Sequence, residues 1–173
     1  MLVYVLFSKH TMFQFNYKKV SVKDKTNLAP HNLWLGGDYT NDTTDLIVTG
    51  GSEEVTDEWS TNYSKCFKIT KTSTYCYIYV WQQQEYDSEN KTLQISIDQK
   101  IPTSSFHLQI IQFNTNKEQL KVDQVGGFIG SANPLILTAQ TVENVNYITI
   151  RIARYGEKGE ILYLDNIIVT ESD

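Results

Sequence analysis

The chain has 173 residues, with 40% hydrophobic and 20% charged. That describes one globular domain, able to bury roughly 70% of the surface its unfolded form exposes, so no disulfide or metal is obligatory. A formal charge of −5 and a pI near 5.2 exclude the clustered Lys/Arg surface that phosphate neutralisation needs, and with it nucleic acid as a partner.

Along the chain, eleven tyrosines against three prolines favour strands over helices. The opening MLVYVLF is apolar only as far as Phe7 and meets Ser8, Lys9 and His10 at once. It is too short for a membrane span, lacks the basic leader of a signal peptide, and reads as a buried strand. Next comes MFQFNYKKVSV, with Phe13, Phe15 and Tyr17 in phase. Residues 1–25 are thus expected to form one or two extra strands or a docking segment, joined through KDKTNLAP to a domain over 26–173.

Period-two runs then recur as KCFKIT, TYCYIYVW, TLQISID, FHLQIIQF, PLILTAQTV, YITIRIA and ILYLDNIIV. In YITIRIA, Ile148, Ile150 and Ile152 share one face while Tyr147, Thr149 and Arg151 share the other. Turn signals separate the runs at Gly36-Gly37, Asn41-Asp42, Gly50-Gly51, Asp87-Ser88, Asn114 to Asn116, Gly126-Gly127 and Gly156 to Gly159. Longer connections are expected at 36–45 and 123–134. The nearest approach to a helical stripe, VTDEWSTNYSK, is too polar to bury much. Strands spaced by about ten residues predict an all-β, two-sheet antiparallel jelly-roll sandwich. Cys66 and Cys76 either pair across a hairpin centred near Lys71 or stay free as small buried hydrophobes.

The run TYCYIYVWQQQEY puts Tyr75, Tyr77, Tyr79 and Trp81 on one face and Cys76, Ile78 and Val80 on the other. Two readings are open. If the aliphatic face is core, the aromatics line the outside, with Gln82, Gln83, Gln84 and Glu85 continuing the strand. Sugar rings present C–H patches to aromatic faces and hydroxyls to amides and carboxylates. If the aromatic face is core, these rings are packing residues. In FHLQIIQF, burial of Phe106, Leu108 and Ile110 turns His107 and Gln109 outward, and Trp34 and Trp59 are further platforms or plugs at the sandwich ends.

From Asn32 onward, NLWLGGDY, LIVTGGSEEV, YSKCFKIT, KTLQISIDQKI and YLDNIIV follow one another in an order that resembles the jelly-roll, galactose-binding-like carbohydrate-binding modules. That fold also serves in phage tail proteins. The resemblance covers about 140 residues and implies noncatalytic carbohydrate binding, with polysaccharide or glycan as partner; the outward reading of the aromatic run gives that ligand Tyr75, Tyr77, Tyr79, Trp81, Gln83, His107 and Gln109. The resemblance further implies a structural Ca²⁺ whose carboxylate ligands match Asp38 and Asp165, since Ca²⁺ takes six to eight oxygens. Thr40 and Gly36 depart from the family pattern, and the competing reading makes Asp38 a turn cap and Asp165 an outward strand residue.

Catalytic patterns are sparse. His10, His31 and His107 have no partners at metal spacing, and no nucleophile elbow, phosphate loop or CxxC occurs. The acidic pairs Glu53-Glu54 and Asp57-Glu58 read as solvated turn charges rather than glycosidase carboxylates. Sequons at Asn41, Asn62 and Asn90 mark surface loops. The expectation is a nonenzymatic module acting extracellularly, at a cell surface or on a virion. The alternative is a structural or adhesion module of a tail or fibre, set among protein neighbours.

Overall fold

The computed structural model describes residues 46–59, 66–100, 105–128, 131 and 133–173. The readings placed on the segment 1–25, on the boundary at 26, on Trp34 and on Asp38 lie outside these residues. Ten strands follow in chain order: β1 (Ile47–Thr49), β2 (Gly51–Thr56), β3 (Cys66–Lys71), β4 (Tyr75–Glu85), β5 (Thr92–Lys100), β6 (Phe106–Phe113), β7 (Gln119–Gly127), β8 (Leu135–Gln140), β9 (Tyr147–Tyr155) and β10 (Ile161–Ser172). They form two five-stranded sheets, ordered β1-β4-β9-β6-β7 and β2-β3-β10-β5-β8, with every strand pair antiparallel. This is the jelly-roll sandwich that the period-two runs predict.

Alternation explains the packing. Cys76, Ile78 and Val80 of β4, Ile148, Ile150 and Ile152 of β9, and Phe106, Leu108 and Ile110 of β6 all point to one side and are buried. They meet Phe67 and Ile69 of β3, Leu93, Ile95 and Ile97 of β5, and Leu162, Leu164, Ile167 and Val169 of β10. Each fully buried Ile, Leu or Phe contributes about 1.5–3 kcal/mol, and together they press the two sheets face to face. The aliphatic side of β4 is therefore core, and its tyrosines face outward.

Two glycines shape this frame. Gly50, at φ +74°, separates β1 in one sheet from β2 in the other, and a Cβ there would lie 2.1 Å from the Tyr75 carbonyl oxygen. The second is Gly127, where a Cβ would fall 2.3 Å from the Phe106 ring, so the ring packs directly on bare backbone. This corrects the expected long connection at 123–134. Gly126-Gly127 is strand, not turn, because β7 runs through it beside β6.

The hairpin expected near Lys71 is likewise replaced. β3 and β4 belong to different sheets, so Cys66 and Cys76 do not face each other across a turn. Both thiols are free and buried. Where β3 ends, Lys71 is fully buried and its Nζ lies 3.4 Å from a Glu160 carboxylate oxygen. Arg154 of β9, in register with Cys76, is also fully buried and donates from Nη1 to the Ile69 carbonyl at 3.4 Å. Burial lowers the Arg154 guanidinium from its ordinary value, with the Cys76 thiol and Glu160 carboxylate opposing the shift.

Candidate functional site

The outward side of the β1-β4-β9-β6-β7 sheet collects the aromatic residues. Register aligns them in rows: Tyr75 beside Tyr155; Thr49, Tyr77, Ala153, His107 and Gly126 across the five strands; and Ile47, Tyr79, Arg151, Gln109 and Gln124 in the row below. Tyr75 and Tyr155 are exposed, at 56% and 44%, and meet edge to face with ring centroids 5.5 Å apart. Tyr77 and Tyr79 are half-buried and tilted against each other at 6.3 Å, and the His107 ring stands edge-on to Tyr155 at 6.3 Å.

A polar chain crosses these rows. The Arg151 guanidinium lies over the Tyr77 ring, 4.7 Å from its centroid, a cation–π arrangement that holds both groups. Arg151 Nε donates to Gln109 Oε1 at 2.8 Å, and Gln109 Nε2 donates to Gln124 Oε1 at 2.9 Å. Burial, then the hydrogen bond with Tyr155, raises the Tyr77 phenol above its ordinary value, while the Arg151 charge opposes the shift.

The structure thus brings Tyr75, Tyr77, Tyr79, His107 and Gln109 onto one face. Trp81 departs from its expected place. The register slips between Tyr79 and Trp81, where Tyr79 faces Arg151 but Trp81 faces Ile150. An extra residue in a bulge shifts the alternation, and Trp81 packs half-buried against the core instead of continuing the tyrosine row. A second slip falls between Trp81 and Gln84. Within it, Gln83 sits at φ +48°, exposed, with its N–H donating to Thr149 Oγ1 at 3.0 Å. Arg151, Tyr155 and Gln124 join the face without having been singled out from the sequence. The period-two pattern of YITIRIA, extended through Ala153, carries the signal for Arg151 and Tyr155.

The opposite sheet presents a different surface. Lys68 of β3 bonds Glu54 at 2.9 Å and Glu58 at 2.7 Å, and the Tyr163 hydroxyl donates to the other Glu58 oxygen at 2.5 Å. Hydrogen bonds from Lys68 and then Tyr163 hold the Glu58 carboxyl below its ordinary value. Those same contacts raise Lys68 and Tyr163. Trp59 tilts against Tyr163 at 6.4 Å, away from the tyrosine face. Burial pushes the Cys66 thiol up to about 11.

Asp165, expected as a metal ligand, alternates away from the core beside Leu164 yet is fully buried. It stands in register with Asp98, also buried. Asn166 bridges the two, its N–H donating to Asp165 Oδ1 at 2.8 Å and its Nδ2 to Asp98 Oδ2 at 3.3 Å. Among the described residues no group of three or more His, Cys, Asp or Glu side chains converges as a metal site, and no helix is long and apolar enough to cross a membrane.

No protein-family model and no curated protein sequence matches the chain. Solved structures do share its fold. One is the enzymatically active domain of tailspike protein 4 from bacteriophage CBA120, at TM-score 0.62 and 13% identity, covering 79% of this chain and 21% of that one. Another is a carbohydrate-binding module of the β-sandwich superfamily described for promiscuous specificity, at TM-score 0.57 and 14% identity, covering 78% and 63% of the two chains. A third is the CBM22-1 xylan-binding domain from Paenibacillus barcinonensis, at TM-score 0.56 and 12% identity, covering 76% and 88%. The chain spans about a fifth of the tailspike chain and under two thirds of the superfamily module.

Proposed function

We propose that the chain is a noncatalytic carbohydrate-binding module whose ligand lies across Tyr75, Tyr77, Tyr79 and Tyr155, with His107, Gln109 and Arg151 bonding its hydroxyls. The observation that carries this reading is the outward face itself, where phenol rings lie within a strand of an amide and guanidinium chain. Rings offer apolar platforms to sugar C–H patches, and amides offer both donors and acceptors to hydroxyls. The shared fold with carbohydrate-binding modules supports the reading. For catalysis, glycoside hydrolysis needs two carboxylates flanking the bond. The acidic pairs singled out from the sequence belong to the other sheet, where Glu54 and Glu58 hold Lys68.

Affinity electrophoresis and calorimetry against a panel of polysaccharides test this. Replacing Tyr77 and Tyr79 together by Ala is expected to weaken binding about 100-fold, at about 1–1.5 kcal/mol per ring, with no product released from any bound polymer. An unaffected double variant, or turnover, would overturn the proposal.

The fold shared with a phage tailspike favours a second reading, a structural or adhesion module of a virion tail or surface fibre with protein neighbours. It predicts that removing residues 1–25 changes the assembly state seen by light scattering. Either role places the chain outside the cytosol. We extend the proposal to a structural Ca²⁺ held by Asp165 and Asp38. The adjoining Asp98 adds a carboxylate oxygen of the hard type that Ca²⁺ takes. Chelation is then expected to lower the thermal unfolding midpoint, and Asp165→Asn to abolish that response.

A further inference from the structure

We infer that the glycan received on the tyrosine face is anionic, its carboxylate or sulfate group taken by the Arg151 guanidinium. The inference rests on the carbohydrate-binding reading and adds the charge class of the ligand.

The argument begins with a mismatch of charge. The chain carries a formal charge of −5. Yet between the Tyr75–Tyr155 row and the Ile111–Val122 row, no outward residue of the five strands is acidic. Glu85 lies beyond both register slips of β4, opposite Tyr147. Within those rows, among the described residues, the one permanent charge is therefore the cation Arg151.

Four other basic residues of the sandwich have a carboxylate partner, while Lys100 and Lys117 lie over the rings of Tyr163 and Tyr147. Lys68 has Glu54 and Glu58, Lys71 has Glu160, Lys91 has Asp173 and Lys121 has Asp123. Arg151 has no carboxylate partner among the described residues. Its Nε is engaged by Gln109 and its plane by Tyr77, which fix the side chain. Among the described residues neither terminal amino group has a hydrogen-bond partner, which leaves both for an external acceptor. A guanidinium so held presents a rigid pair of donors matching the two oxygens of a carboxylate or sulfate.

The same face is open at its β7 edge. His107 is a diagonal neighbour of Arg151 through the Ala153 pairing, and the residue opposite His107 is Gly126. A Cβ at Gly126 would meet only His107 Cδ2, at 3.9 Å. The missing side chain leaves the backbone open beside His107, at the β7 end of the row that Tyr77 begins on β4.

The test is calorimetric titration of the intact chain with matched polymers: polygalacturonate against its carboxyl-reduced form, and a sulfated glycosaminoglycan against its desulfated form. At least one acidic polymer is expected to bind, and its neutral counterpart about tenfold or more weakly. Whichever pair shows the difference identifies carboxylate or sulfate as the group received. Arg151→Gln is expected to bring binding of the acidic polymer down to that of its neutral counterpart, with the circular dichroism spectrum unchanged. Equal binding of acidic and neutral forms, or a preference that survives Arg151→Gln, overturns the inference and leaves the carbohydrate-binding reading standing. Binding of no glycan at all overturns both.

Discussion

The two outward faces of this sandwich are built by the same alternation and end in opposite electrostatic states. On the β2-β3-β10 side, Lys68 is held between two glutamates and Tyr163 donates to one of them. That surface satisfies itself. On the β4-β9-β6 side, Arg151 is fixed by a ring and an amide, neither of which neutralises it. Strand β3 shows the contrast along a single segment, since Lys68 points out to Glu54 and Glu58 while Lys71 points in to Glu160. What sets Arg151 apart is that it is held in place by a ring and an amide together, in the middle of a face whose other outward groups are uncharged.

The comparison is broken most severely from the inside. Glu160→Gln removes the partner of a fully buried ammonium, and chemical denaturation is expected to show a loss of about 3–5 kcal/mol, the range for breaking a buried pair. A variant as stable as the wild type would show that Lys71 does not depend on its partner.

A smaller effect is expected from acid. The Glu58 carboxyl is held below its ordinary value of 4.5 by hydrogen bonds from Lys68 and Tyr163. Its contribution is therefore present above that value and lost as pH falls through the lowered, folded-state value. The gap in thermal midpoint between wild type and Glu58→Gln should be open at neutral pH and close in acid. A gap that widens in acid would reverse the sign.

Smaller again, Lys68→Ala is expected to leave glycan affinity within about twofold of wild type, because distant sites act independently. A larger change would mean that the closed face also contacts ligand. Finally, with Cys66 pushed up to about 11 by burial and Cys76 also raised by burial, native protein should show almost no fast reaction with a thiol reagent. Denatured protein should show two thiols per chain.

Periodicity made the sheets and their buried sides legible. Ile148, Ile150 and Ile152 face in and Arg151 faces out, as YITIRIA reads. What alternation cannot show is which strands become neighbours. Arg151 stood on an outward face in the sequence, but only the β4-β9-β6 order sets it over Tyr77 and against Gln109. Nor can it show a bulge. Trp81 belongs to the tyrosine row in any unbroken count, and one extra residue after Tyr79 turns it toward the core. Strand β7 was concealed by its own residues, since a polar edge strand ending in two glycines has the composition of a loop. Gly127 is there to let Phe106 lie flat on the backbone. Asp98 attracted no notice because its meaning comes from Asp165, 67 positions later and directly opposite in register.

The strand order has a consequence for biogenesis. Strand β9 lies at the centre of one sheet, between β4 and β6, and β10 at the centre of the other, between β3 and β5. A nascent chain emerging from the ribosome therefore carries both sheets as separated halves, with hydrogen-bonding edges unfilled, until its last two strands arrive. Long-range pairing of this kind is slow, and such edges invite association with other chains. The sandwich commits to its fold only once β9 and β10 have been made, and its nascent edges need shielding until then.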